Sequence, residues 1–204
     1  CGGLMKPVKV QQEGSRYIIT HKCISCGYEN PGAGQVNSNR IEYITIASTG
    51  NATDFGDMTV SVESPACCAS NTRALHGGGS GDVNNIGYVT IGTTGNAVDF
   101  GDLTVGRTRI ASTSSKIRGI FAGGYSSGVI DYVTIASTGN ALDFGNLTSA
   151  RYGVAGCSNS TRGLIGGGYA NLDNIDYVTI ATTGNAADFG NLTVALRDRA
   201  ACAS

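Results

Sequence analysis

The chain has 204 residues, a formal net charge of −1 at pH 7, and 14% charged residues against the roughly 25% that is usual in soluble domains. This balance does not suggest binding to nucleic acid or to an anionic membrane surface. The 31 glycines, among many Ile, Val and Thr, predict short strands joined by tight turns. No apolar run approaches the roughly 18 residues that span a bilayer.

The N-terminal segment carries a cysteine pattern of its own. Cys23 and Cys26 form a Cys-x-x-Cys-Gly motif, which has the spacing of a zinc knuckle, and Cys1 begins a Cys-Gly-Gly that looks like half of another. The intervening residues 6–20 would form a hairpin. The pattern resembles a zinc ribbon, which implies a structural zinc held by Cys1, Cys23 and Cys26. His21 is an alternative fourth ligand, although it is awkwardly close to Cys23.

The rest of the chain repeats one unit four times. The motif Thr-Gly-Asn-Ala-x-Asp-Phe-Gly follows a strand-like segment in every copy, and the isoleucines that open those segments are 45, 44 and 45 residues apart. Since a fixed period decides the fold, we expect a repeat scaffold and not an enzyme. The copies span 41–85, 86–129, 130–174 and 175–204.

Each copy reads as four short antiparallel strands, so the predicted fold class is all-β. In the third copy, residues 130–135 alternate and are rich in β-branched side chains, which is typical of a half-buried strand. A turn at 138–140 follows, where Gly and Asn tolerate positive φ. Phe144 and Leu147 are expected core anchors. The remaining predicted strands of this copy are 144–150, 152–157 and 161–169.

The repeat resembles a kelch-type repeat. The shared features are a glycine doublet, a strand bearing tyrosine, the Thr-Gly-Asn turn, an aromatic residue, and an arginine after the return strand (Arg107 and Arg151). The resemblance implies a kelch-like β-propeller over 31–204, after a zinc-ribbon-like module at 1–30. The chain departs from the family in having no tryptophan, and Val62 replaces the arginine in the first copy.

The fourth copy ends after its third strand, which leaves the array incomplete. Residues 20–28 align with 161–169 and are an alternative closing strand, in which Cys23 and Cys26 would point to opposite faces and share no metal. A redox pair is a third alternative for these two cysteines. Because open sheet edges are exposed to unwanted pairing, we expect either ring closure or assembly with another protomer.

The cysteines of the repeats are predicted to be buried and inert. Cys68, Cys157 and Cys202 each lie 27 residues after the first isoleucine of their copy, and Thr113 takes that place in the second. Equivalent places in different copies are too far apart for disulfides. Cys67 is expected to point to the opposite face from Cys68.

Other motif-like residues are better read as structural. Asp-Phe-Gly occurs once in every copy and without any nucleotide-binding motif, so a catalytic role is not indicated. His76 stands where other copies have Phe121 and Ile165, so we expect it to pack in a strand rather than to act as a base.

These features predict a non-enzymatic structural or attachment protein. This repeat variant is similar to repeats in virion structural proteins of tailed phages and other large DNA viruses, which implies a tail, fibre or capsid-surface component located in the virion. The implied partners are other virion proteins, a host surface protein or glycan, or further copies of the chain. The alternatives are an extracellular or surface-anchored cellular adhesin, and a propeller enzyme. Loops that differ between copies supply the candidate contact residues. These are Asp82, Asn84, Ser126, Asn171 and Asp173.

Overall fold

The computed structural model describes the backbone of 5–13, 16–23 and 29–32, and the whole residues 38–169, 172–195, 197 and 201. These residues are all-β: they form seventeen strands in five antiparallel sheets and no helix. A helix long and apolar enough to cross a membrane is accordingly not found among them. The chain divides into two units, Cys1–Asn37 and Ser38–Ser204.

The first unit contains sheet A, in which the strands follow one another in chain order. β1 (Met5–Glu13) and β2 (Arg16–Cys23) form an antiparallel hairpin, and β3 (Glu29–Gly32) pairs with the other edge of β2. β2 has a partner on both sides, so residues 20–23 belong to this sheet. The other residues of the alternative closing strand, 24–28, lie outside the described residues.

The second unit contains four sheets in chain order. Sheet B has two strands, and sheets C, D and E have four each, with every strand paired to its neighbour in sequence. Sheet B is β4 (Ser38–Tyr43) and β5 (Thr53–Val62). Sheet C is β6 (Ala66–Ala69), β7 (Arg73–Gly77), β8 (Asn85–Thr90) and β9 (Val98–Asp102). Sheet D is β10 (Ala111–Ser114), β11 (Arg118–Ala122), β12 (Val129–Thr134) and β13 (Leu142–Asn146). Sheet E is β14 (Ala155–Ser158), β15 (Arg162–Gly166), β16 (Asn174–Thr179) and β17 (Ala187–Asn191).

The sheets do not coincide with the repeats that the sequence defines. In sheets C, D and E, the strand that carries the first isoleucine of a repeat is the third of its sheet. Each of the first three repeats therefore gives two strands to one sheet and two to the next. The predicted return strand 144–150 is also shorter, since β13 ends at Asn146. The chain then leaves sheet D, and Thr148 hydrogen-bonds Asp176 of sheet E through both its backbone N–H and its hydroxyl.

The hydrophobic cores lie between successive sheets. One core joins Phe100 and Leu103 of the β9 region to Val133 and Ile135 of sheet D. The next core repeats this arrangement one sheet later and includes Phe144 and Leu147, which confirms both as core anchors. Sheets C and D therefore each bury apolar side chains against the sheet that follows, and burial of this area is the main stabilising term.

The Thr-Gly-Asn turns of the second, third and fourth repeats each dock on the return strand of the preceding repeat. In the turn between β12 and β13, Gly139 N–H donates to the Phe100 carbonyl at 2.7 Å and Ala141 N–H donates to the Asp102 carbonyl at 2.7 Å. The side-chain oxygen of Asn140 accepts from Asp102 N–H at 3.1 Å. The same three bonds join the turn at 95–97 to β5 and the turn at 184–186 to β13.

The docked turn explains why glycine ends each Asp-Phe-Gly. Gly101 has φ of +145°, and a Cβ there would lie 2.5 Å from the carbonyl carbon and oxygen of Gly139. Any other residue would be strained and would also push the turn away. The motif is thus structural, as predicted, with its glycine forming a contact surface between repeats.

Buried ion pairs add a second link between sheets. Arg151, after β13, contacts Asp176 of β16 at 3.0 Å, and neither side chain is accessible to solvent. Arg107 makes the equivalent pair with Asp131 across the junction of sheets C and D. The arginine that follows the return strand therefore serves here as an inter-sheet contact.

Candidate functional site: a column of tyrosines

Each antiparallel sheet has two ends, and its loops are divided between them. The Thr-Gly-Asn turns lie at one end. The loops that follow β7, β11 and β15, each opened by a glycine doublet, lie at the other end together with the linkers between sheets. We call this second end the glycine-loop face. It contains the loops that vary most between the copies.

Three tyrosines form a column on the glycine-loop face. The ring centroids of Tyr125 and Tyr152 are 5.0 Å apart, and those of Tyr152 and Tyr169 are 4.8 Å apart with the rings inclined by 19°. The guanidinium of Arg197 lies over the Tyr169 ring, 4.9 Å from its centroid. We call these four residues the tyrosine column. Tyr125 is 64% exposed, so one end of the column is open to solvent.

Two glycine doublets position the rings of the tyrosine column. Tyr125 and Tyr169 each follow a glycine doublet with positive φ, so the backbone turns sharply just before each ring. At Gly168 a Cβ would lie 3.0 Å from Val154 and 3.1 Å from the Tyr152 carbonyl. This close approach allows Tyr169 N–H to donate to the Tyr152 carbonyl at 2.8 Å, which brings the two rings together.

Tyr152 presents a neutral hydroxyl group within the column. The pKa of Tyr152 is raised, chiefly because neighbouring groups partly exclude water, and also because Tyr169 and Tyr125 are close. The hydroxyl of Tyr152 therefore stays protonated at physiological pH and can both donate and accept a hydrogen bond.

Four of the five candidate contact residues are described, and all four are exposed on this face. Asp82 and Asn84 lie in the loop after β7, Ser126 directly follows Tyr125, and Asp173 precedes β16. Asp82 and Ser126 have φ of +52° and +55°. Asn171 lies outside the described residues.

Sequence reasoning missed the column itself. Tyr125 and Tyr169 occupy the same place after the glycine doublet, where the preceding loop has Ser80, and this coincidence was the available signal. The other copies have no tyrosine at the position of Tyr152. Stacking between side chains from two repeats is not visible in a linear period.

The three predicted zinc ligands all belong to the first unit. Cys1 and Cys26 lie outside the described residues, and Cys23 is the last residue of β2, where only the backbone is described. Within the described ranges, no group of three or more His, Cys, Asp or Glu side chains could hold a metal ion. The zinc site stays a prediction.

A cavity of about 300 Å³ lies where the first strands of sheets C, D and E converge. Its walls include Cys67, Cys68, Thr113, Cys157 and Ala201. The adjacent strands β6 and β10 are joined at this point by Ser112, whose hydroxyl donates to the Cys67 carbonyl at 2.6 Å.

The cavity cysteines behave largely as the sequence predicted. Cys67, Cys68 and Cys157 are free thiols, and along β6 Cys67 points outward while Cys68 points inward. Cys157 is only partly buried, and Cys202 lies outside the described residues. Burial, helped by the neighbouring Cys67, raises the pKa of Cys68 to about 12. That thiol is therefore unreactive near neutral pH.

Comparison with known proteins adds no assignment. No protein-family model matches the sequence, and no curated protein matches it.

Proposed function

We propose that the chain is a non-enzymatic attachment scaffold, a kelch-like β-propeller that binds its partner through the glycine-loop face. The tyrosine column is the observation that carries this proposal. Large aromatic side chains exposed on a rigid support are typical of binding surfaces, where they supply contact area at a low cost in conformational entropy.

The rigidity of the support favours this role. Each of the three junctions between successive sheets B, C, D and E has a docked turn with three hydrogen bonds, and two of these junctions also have a buried ion pair. The column itself crosses from sheet D to sheet E, so its rings are ordered before any partner arrives. A partner then loses less free energy to ordering than it would on a mobile loop.

The surroundings of the column favour a polar partner surface such as a glycan. Ser126, Asp173 and the tyrosine hydroxyls place hydrogen-bonding groups around an apolar ring edge. The similarity of the repeats to those of phage and large-virus virion proteins supports a tail, fibre or capsid-surface setting. The partner would then be a host surface glycan or protein, and a zinc-ribbon-like module would dock the scaffold to the virion.

A glycan microarray probed with the purified full chain tests the proposal. We expect binding to a restricted set of glycans, reduced at least about tenfold by Tyr125→Ala and by Tyr169→Ala, since aromatic anchors at binding sites commonly contribute 1.4 kcal/mol or more. Ile117→Ala is the matched control, because Ile117 is equally exposed at the opposite end of sheet D. Equal binding by all variants would remove the column from the site, and no glycan binding at all would leave only a protein partner.

A further inference from the structure

We infer that the fourth repeat binds the first repeat of a second copy of this chain, through the contacts that join successive repeats within the chain. This assembly is separate from the glycan or protein binding proposed above. It follows from two unfilled halves of one interface, which we call the tail half and the head half.

The tail half is the outer face of sheet E. Phe189 of β17 is 51% exposed, whereas its counterpart Phe100 in β9 is 2% exposed beneath sheet D. Gly190 has φ of +139° and nothing within 4 Å of its Cβ position. At Gly101 that space is occupied by the docked turn of the following repeat. Sheet E is therefore shaped for a turn that no described residue supplies.

The head half is the face of the first repeat. Ile46 is 94% exposed, whereas its counterpart Ile135 is 1% exposed in the core shared by sheets C and D. The turn at 49–51 is exposed. The corresponding turns at 94–96, 138–140 and 183–185 are all docked.

A second copy is the partner that fits both halves. The tail half is complementary to a Thr-Gly-Asn-Ala turn preceded by an apolar strand, and the first repeat has the one such turn that is undocked among those described. Both halves are uncovered among the described residues of the same folded unit, so no described part of the chain fills them. The contact joins unlike surfaces, and such head-to-tail contacts produce a closed ring or a filament.

The test is the mass of the assembly for the full chain and two end variants, measured by sedimentation velocity over a range of concentrations. Gly190→Ala blocks the tail half, because its Cβ takes the position of the docking carbonyl. Asn51→Ala with Ala52→Pro weakens the head half by removing a side-chain acceptor and a backbone donor. Gly81→Ala is the matched control, since Gly81 also has positive φ and open space but lies away from both ends.

We expect the unmodified chain and Gly81→Ala to form dimers or larger species, and each end variant alone to be monomeric with an unchanged circular dichroism spectrum. Mixing the two end variants should restore a dimer, because each retains the half that the other has lost. A monomer at all concentrations for the unmodified chain would overturn the inference. Assembly of the unmodified chain that survives both end variants would do the same.

Discussion

Val62 and Gly87 stand at the junction of sheets B and C in the positions that Arg107 and Asp131 occupy at the next junction. The basic and the acidic residue are thus both missing from the same interface. Thr59, whose counterpart Thr104 bonds Asp131, donates instead to the side chain of Asn85 at 2.6 Å. A buried charge left alone is costly, whereas loss of both partners is tolerated, so paired replacement is the expected pattern.

Breaking one ion pair should show this coupling directly. Arg151→Val and Asp176→Gly should each lower the free energy of unfolding by about 3–5 kcal/mol, because each leaves the other charge buried and uncompensated. The double variant, which copies the first junction, should be more stable than the sum of the two losses predicts, by about 2 kcal/mol. Urea denaturation of the four proteins measures the cycle. Strict additivity would contradict an energetic link between the two residues.

The docked turn leaves no room for a side chain at Gly101. Gly101→Ala should lower the free energy of unfolding by about 2–4 kcal/mol, through backbone strain and a clash with Gly139. Gly81→Ala, with φ of +82° and open space, should lose only the strain, about 1–2 kcal/mol. Thermal unfolding of both variants gives the comparison. Equal losses would mean that the turn does not press on Gly101.

His76 should make stability depend on pH. Burial lowers its pKa below the ordinary value, and neither ring nitrogen has a hydrogen-bond partner among the described residues. The unfolded chain therefore binds this proton at a higher pH than the folded chain, so stability falls as pH decreases below about 6.5. His76→Phe, the residue of the next repeat, should reduce that dependence. Urea titrations at several pH values test it, and His21, present in both proteins, cancels. Identical pH profiles would show that His76 does not titrate on unfolding.

Thiol reactivity should separate the two adjacent cysteines of β6. With iodoacetamide near pH 8, Cys68 should remain unmodified in the folded protein, since its pKa of about 12 leaves almost no thiolate. In urea both Cys67 and Cys68 should react. Fragment-ion mass spectrometry assigns the modified residue. Alkylation of Cys68 in the folded state would show that β6 opens readily.

The zinc prediction rests on sequence spacing and is tested by native mass spectrometry with and without a strong chelator. We expect one zinc per chain, lost with the chelator and in Cys23→Ser. Cys157→Ser is the control, because Cys157 lies in the second unit at the cavity. Retention of zinc in Cys23→Ser would remove that residue from the site.

The sequence was a good guide to strands and burial but not to how the strands are grouped. Period-2 alternation predicted the strand at 130–135, the opposite directions of Cys67 and Cys68, and the core role of Phe144. The repeat length does not show where a structural unit begins, however. It therefore does not show that a sheet begins two strands before the strand of the first isoleucine. Only the hydrogen bonds define that boundary.

The contacts between repeats were hidden for a related reason. The Thr-Gly-Asn motif reads as a tight turn, which it is, but its partner strand lies about 40 residues away. The need for glycine at 101 and the hydrogen bond that Asn140 accepts both arise only when the turn at 138–140 docks on β9. The tyrosine column likewise depends on three-dimensional proximity between residues that are not equivalent in the repeat. Patterns along one segment do not contain such relationships.

The docked turn also bears on how such a chain can change its length. Every motif carries both a turn that inserts and a strand that receives, so an extra copy introduced by duplication meets neighbours that already fit it. Deleting one period would likewise join a turn to a strand that can receive it. Such a protein can gain or lose whole sheets without having to invent a new contact. Copies can replace one another only if they keep the same docking residues, which accounts for their near-identity. Residues outside the turn, such as the tyrosines, are free to diverge.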